Sequence, residues 1–109
     1  MFKIKLKNIL FKYLLDMLSN EKNHYTDDVD DTIIDLRIIK DNIVKNKSEE
    51  DNYVWFEVDD ITEMRLLQYV ADKQIEIGFV NEDYLNEDGK KLQMIYDVIF
   101  NQTNNPKED

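Results

Sequence analysis

Few side chains in this chain could do chemistry. There is one histidine, His24, there are two serines, Ser19 and Ser48, and there is no cysteine. A Ser–His–acid relay needs a hydroxyl whose proton passes to an imidazole that a third group orients. Only Ser19 lies near His24 in sequence, and both fall in the polar stretch SNEKNHY, which reads as an exposed connection. Two isolated glycines cannot build a phosphate-cradling loop. Asp83, Asn86, Asp88 and Gly89 have the residue types of a calcium loop, but with Gly89 at the sixth position the first ligand would have to be Tyr84, so no metal is assigned. Carboxylates are abundant, yet without a cleft they are not acid–base partners. The expectation is a protein that is not an enzyme and that uses no cofactor, metal or small molecule.

What the chain has in excess is negative charge. Its 109 residues carry 24 acids against 14 bases, a net charge of −10. Such a field repels nucleic acid and anionic membrane and attracts basic surfaces. The charge is blocked along the chain. Residues 1–15 hold Lys3, Lys5, Lys7 and Lys12 and no acid, and this basic cluster reads as the solvated face of a first helix. Residues 16–35 and 47–63 each hold seven acids and one lysine. The basic and apolar N-terminus is not read as a signal peptide, because lysines interrupt the apolar run and no small-residue cleavage site follows. No apolar run approaches the roughly 18 residues of a membrane span. With cysteine absent, the expected location is the reducing cytoplasm.

The elements that would position these acids follow from apolar spacing. Leu6, Ile9, Leu10, Tyr13, Leu14, Met17 and Leu18 recur at three- and four-residue intervals, which predicts a helix over 4–19. Thr26 is a suitable N-cap for a second, short helix over 27–34, with Asp27 and Asp28 in its first turn. A strand would follow at 35–40, the competing reading being one long helix to Lys45. Residues 53–58, YVWFEV, read as a strand. Residues 64–70 fit either period. Ile75, Ile77 and Phe79 alternate as a strand, with Asp72 and Lys73 as a tight hairpin connection. Asp88 and Gly89 read as a turn. Alternation from Leu92 to Phe100 favours a closing strand over a helix from Glu87. The expected fold is α+β, two N-terminal helices packed on an antiparallel β-sheet, in one domain over 1–100 with a polar, frayed tail at 101–109.

On a helix, Asp27, Asp31 and Asp35 are four apart, and Asp27 with Asp30 and Asp28 with Asp31 are three apart, so their Cβ atoms would stand about 5–6 Å from one another. On a strand, Glu57 and Asp59 would project from one face about 6.5–7 Å apart. Both spacings approach those of successive phosphates. Together with Glu49, Glu50 and Asp51, these side chains are the expected phosphate-mimicking residues. Like charges at such spacing destabilise a helix by a few tenths of a kcal/mol per pair. A self-repelling acidic row therefore suits a surface that awaits a basic partner. The partner is expected to be a protein that grips nucleic acid, and no nucleic acid or membrane is expected to bind.

The order of several short motifs resembles the staphylococcal-type uracil-DNA glycosylase inhibitors, small acidic proteins that mimic DNA. The parallels are Leu6 and Lys7 at the start of the first helix, Glu21 and Lys22 closing it, and Asp30 and Asp31 in an acidic second helix. They continue with Lys73 and Gln74 leading into a hydrophobic-Gly-Phe strand, Ile77, Gly78 and Phe79, and an apolar closing segment from Leu92 to Phe100. The resemblance spans roughly residues 4–100. It implies that the chain occupies the DNA-binding groove of uracil-DNA glycosylase. It also implies that an acid near the start of the second helix stands for a phosphate, and that an apolar pocket receives an enzyme loop. Asp27 and Asp28 fall nearest that helix start, while Tyr25 and Thr26 stand where the family has its glutamate. The pocket would draw on Val29, Ile33, Leu66 and Leu67. Other targets open to the same physics are a restriction enzyme, a CRISPR nuclease, RNA polymerase, or a basic toxin neutralised by an immunity protein.

Overall fold

The computed structural model describes residues 2–21, 23–25, 33–78 and 86–104. The element order is β1 (Phe2–Lys7), α1 (Asn8–Asn20), β2 (Asn23–Tyr25), β3 (Ile33–Asp35), α2 (Leu36–Lys45), β4 (Ser48–Glu50), β5 (Tyr53–Val58), α3 (Asp60–Ile77) and α4 (Glu87–Asn104). Strands β1, β5 and β4 form an antiparallel sheet in that order, and β2 pairs with β3 in a two-stranded sheet. The α+β class holds, but the helices are not confined to the N-terminal half: α3 and α4 follow the sheet.

The expected helix over 4–19 divides at Asn8. Its first residues alternate, with Ile4 and Leu6 buried between Lys3, Lys5 and Lys7, and that period of two makes β1 a strand. From Asn8 the buried residues are Leu10, Phe11, Leu14 and Leu18, a helical stripe. Strand β5 lies where YVWFEV placed it and buries Val54, Phe56 and Val58. The Phe11 and Phe56 rings meet at 5.4 Å and 48° in the core between α1 and the sheet.

Four expectations fail for one reason. The strand at 35–40, the hairpin at Asp72 and Lys73, the strand at 75–80, of which 79–80 lie outside the described residues, and the closing strand at 92–100 all rest on apolar alternation. In α2 the buried residues are Leu36, Ile39 and Ile43, with Ile38 exposed. Helix α3 buries Leu66, Tyr69, Val70 and Lys73 and runs through the expected hairpin to Ile77. Helix α4 buries Leu92, Ile95 and Ile99 and leaves Met94 and Phe100 exposed. Burial at intervals of three and four marks helices, and the alternate apolar positions face solvent. Of the competing readings, the helix starting at Glu87 is the one observed, and the single long helix to Lys45 holds only from Leu36, because Ile33–Asp35 is strand β3. The short helix expected over 27–34 lies mostly outside the described residues, and its end, Ile33–Asp35, is strand β3.

Asp88 and Gly89 do not make a hairpin turn. They open α4, and Asn86 holds the junction: its amide donates to the Ile77 carbonyl at 2.8 Å and its side-chain oxygen accepts from Gly89 N–H at 2.7 Å. Helix α4 continues past the expected domain end at residue 100. Gln102 bonds both the N–H and the carbonyl of Lys5, at 2.7 and 2.9 Å, so a side-chain amide takes the place of a neighbouring strand on the outer edge of β1. No helix among the described residues is long and apolar enough to cross a membrane.

Candidate functional site: a groove between the last two helices

The expected acidic row does not assemble from the described residues. Asp27, Asp28, Asp30 and Asp31, with the apolar Val29, lie outside them. Asp35 caps α2, accepting from Arg37 N–H at 3.0 Å and pairing with its guanidinium at 3.3 Å. Glu49 pairs with Lys47 at 2.6 Å. Glu50 accepts from the Trp55 indole N–H at 3.1 Å and points to the opposite face of β4 from Glu49. Asp51 occupies a left-handed backbone position, φ 54°, in the connection between β4 and β5, a conformation that aspartate tolerates better than most residues. Glu57 lies across the β1–β5 pair from Lys3. Asp59 is the N-cap of α3 and accepts from Thr62 N–H at 2.7 Å. Most of these acids thus have a local partner or a capping role that accounts for them without mimicry.

Their chemistry has a measurable consequence. The Thr62 N–H beside Asp59 and the Arg37 guanidinium beside Asp35 hold both carboxyls below the usual carboxylate range. A carboxyl lowered in the folded state contributes stability above its unfolded value, and that contribution is lost as pH falls through the folded one. Asp59→Ala is therefore expected to lower the melting temperature at neutral pH and to converge on the parent as pH falls and the Asp59 carboxyl becomes protonated. Thermal unfolding followed by circular dichroism across that range measures the gap. A gap that stays constant with pH would show that the cap's charge is irrelevant.

Of the four residues expected to form an apolar pocket, Val29 lies outside the described residues. Ile33 lies in β3, and Leu66 is fully buried in the core. Leu67, one residue on, turns outward to a groove between α3 and α4. The groove has a volume of about 270 Å³ and is lined by Glu63, Met64, Leu67, Gln68, Ala71, Tyr96 and Phe100. Met64, Leu67 and Ala71 are three and four apart on α3, and Tyr96 and Phe100 are four apart on α4, so each set shares a helix face. The Tyr96 and Phe100 rings stack at 5.8 Å and 16°. Met64 is 59% exposed and Phe100 42% exposed. Glu63 closes one end, accepting from the Thr103 hydroxyl at 2.7 Å. Further acids lie on the same two helices: Asp60 one turn before Met64, Asp72 accepting from the Gln68 amide at 3.0 Å, and Asp97 accepting from the Gln93 amide at 3.1 Å. The signal for this groove was in the sequence. The three- and four-residue spacing of Met64, Leu67 and Ala71 and of Tyr96 and Phe100 points to it once 92–100 is a helix and not a strand.

A second cavity, about 410 Å³, lies where α1, α3 and the start of α4 meet, lined by residues that include Tyr13, Asp16, Glu21, Tyr69, Lys73 and Asp88. The Tyr13 hydroxyl donates to Asp88 at 2.8 Å and the Tyr69 hydroxyl to Glu21 at 3.1 Å. Lys73, only 7% exposed, donates to Glu21 at 3.1 Å and Glu76 at 2.6 Å. Burial first, and then the adjacent carboxylates, push both tyrosine hydroxyls up from their ordinary values. Burial opposes the charge on Lys73, but its bonds to Glu76 and Glu21 outweigh that and raise it. Each donor here already has an acceptor, and both tyrosines are held neutral. The network ties α1 to α3 and α4 and activates no nucleophile.

For the sparse chemical inventory, Ser19 donates to the Leu15 carbonyl and accepts from Lys40, both within α1 and α2. The His24 side chain and Asp83 lie outside the described residues, Asn86 holds the α3–α4 junction, and Asp88 accepts from Tyr13. No group of three or more metal-ligating side chains that could hold an ion occurs among the described residues. The fold and site define an α+β protein with an exposed, largely apolar groove between its last two helices. No protein-family model matches the sequence, and neither a curated protein nor a solved structure matches it.

Proposed function

We propose that this chain is a non-catalytic binding protein that sets the α3–α4 groove against the basic surface of a nucleic-acid enzyme and so excludes DNA, with uracil-DNA glycosylase as the first target. The observation that carries the reading is the groove itself. Met64 and Phe100 are large apolar side chains left in solvent beside Leu67 and Tyr96, with Glu63 in the lining and Asp60, Asp72 and Asp97 near them in sequence on the same two helices. Apolar centres with a charged surround are the anatomy of a docking face. The net charge of −10 would steer the chain to a basic partner and speed encounter, while burial of the groove residues would slow release. The motif resemblance adds little to this. Residues 73–77 are helical and Gly78 ends that helix, and 92–100 are helical too, whereas the resemblance expected a strand through Ile77, Gly78 and Phe79.

The test is a uracil-excision assay with the full chain added in stoichiometric amounts. Inhibition is expected to rise with the protein-to-enzyme ratio and to weaken with salt. Met64→Glu and Phe100→Ser are expected to weaken it by about tenfold or more, the scale of losing an interfacial anchor, with the circular dichroism spectrum unchanged. Undiminished excision at low salt, with no complex on a sizing column, removes the glycosylase as target. Inhibition that ignores both substitutions removes the groove as the docking face.

A further inference from the structure

The outer face of the three-stranded sheet carries two aromatic rings, Tyr53 and Trp55, that the core does not use. Register places three rows of side chains on it: Lys3 beside Glu57, then Lys5, Trp55 and Ser48, then Lys7, Tyr53 and Glu50. Across the strands the face is striped, with lysines on β1, two rings in the middle on β5, and Glu50 and Ser48 on β4. Lys3 sits over the Trp55 ring at 5.0 Å, and Lys5 over Tyr53 and Trp55 at 4.3 and 5.3 Å. Glu50 fixes the indole by accepting its N–H. The inward residues Ile4, Leu6, Val54, Phe56 and Val58 share one core with the buried side chains of the helices, so those helices pack on the other side. Among the described residues, Lys3, Lys7, Ser48, Glu50 and Glu57 remain exposed and the two rings half-buried.

We infer that this face docks on the same face of a second copy of the chain, about a two-fold axis running alongside β5. A surface that meets itself must be self-complementary under that rotation. Only one orientation meets this condition. An axis across the strands would set lysine column against lysine column. An axis along β5 sets β1 of one copy over β4 of the other, while β5 faces β5. Lys7 then meets Glu50 of the second copy, twice by symmetry. Lys5 meets Ser48, and Tyr53 and Trp55 face their own counterparts. Glu57 meets its counterpart at the end of the rows, each carboxylate keeping Lys3 beside it. Sheets packed face to face align within about 30°, which such an axis permits. Aromatic rings at the centre with charges outside them are the usual arrangement of a protein interface. A nucleic-acid strand fits the face less well, because its phosphates would meet Glu50 and Glu57 as well as the lysines. Two strands of six residues and one of three, about 4.8 Å apart, cover about 250 Å² per copy, well under the roughly 800 Å² per partner of a standard interface. The dimer is therefore weak and depends on concentration.

The test is sedimentation equilibrium of the full chain up to about millimolar concentration, where an interface this small should still populate. The parent is expected to associate, and emission from Trp55, the only tryptophan, is expected to change over the same range. Lys7→Glu and Glu50→Lys are each expected to weaken association by about tenfold, and the double variant to restore it, because only the swapped pair regains opposite charges across the axis. Circular dichroism confirms that each variant is folded, since these positions are exposed. A parent that stays monomeric throughout overturns the inference. So does a double variant no better than the singles, association lost on Met64→Glu but not on the sheet substitutions, or Trp55 emission that changes only on adding an oligothymidylate. The inference is independent of the groove, which lies on α3 and α4.

Discussion

Leu66→Ala is expected to destabilise the fold by about 3 kcal/mol, within the range of about 2–5 kcal/mol for buried leucine truncations, whereas Leu67→Ala next to it costs under about 1 kcal/mol. The sequence alone treats the two leucines alike. On α3 they point in different directions. Leu66 is fully buried with Val70, Leu92 and Ile95, and removing its side chain leaves a cavity that packed helices close only in part. Leu67 is half-buried along the groove, so its truncation enlarges an existing opening. Urea unfolding of both variants measures the difference. The same two proteins separate stability from docking. Leu67→Ala should bind the partner more weakly while folding almost normally. Equal destabilisation of the two variants would place both side chains in the core and remove Leu67 from the docking face.

Gly78→Ala is expected to cost about 1–3 kcal/mol, the scale of overpacking a closed site. Gly78 ends α3 with its N–H on the Gln74 carbonyl at 2.9 Å, and its φ of −88° is open to any residue, so backbone freedom is not the reason for glycine here. The reason is contact. A Cβ at this position would come within 2.8 Å of the Gly89 Cα and would also press on the Gln74 carbonyl oxygen. Both are backbone atoms, which do not swing aside. Relief requires α3 and α4 to part where Asn86 and the Gln74 amide hold them, the latter bonded to Gln93 at 2.7 Å. At a permissive site the same substitution stabilises by about 0.4–1 kcal/mol, because it restricts the unfolded chain. The sign of the change in urea midpoint therefore decides. Stabilisation would mean that the two glycines do not approach closely.

The sequence made some of this molecule readable and misled on the rest, for identifiable reasons. Strand β5 was legible because Val54, Phe56 and Val58 alternate with residues that do not bury, and both β-branched and aromatic side chains suit a pleated face. Strand β1 was missed although Lys3, Lys5 and Lys7 alternate with Ile4 and Leu6, because Leu6 also completes a helical stripe with Leu10 and Leu14. The C-terminal half failed differently. Ile75, Ile77, Met94 and Phe100 are apolar but exposed, so counting them as core produced a false period of two. Apolar residues kept in solvent break the rule that pattern reports burial, and a docking surface is one place where that happens. The acids were overread for a related reason. Asp35 and Asp59 cap helices, Glu49 pairs with Lys47, and Glu50 fixes an indole, roles set by neighbours that spacing alone does not identify.

The face formed by Met64, Leu67, Tyr96 and Phe100 is the proposed docking site for a basic partner. Hydrogen–deuterium exchange of the full chain, alone and mixed with uracil-DNA glycosylase at low salt, tests it most directly. A complex is expected in which amide exchange slows along residues 60–72 and 93–101 and is unchanged in β1 and β5. No complex, or slowed exchange confined to other elements, would contradict it.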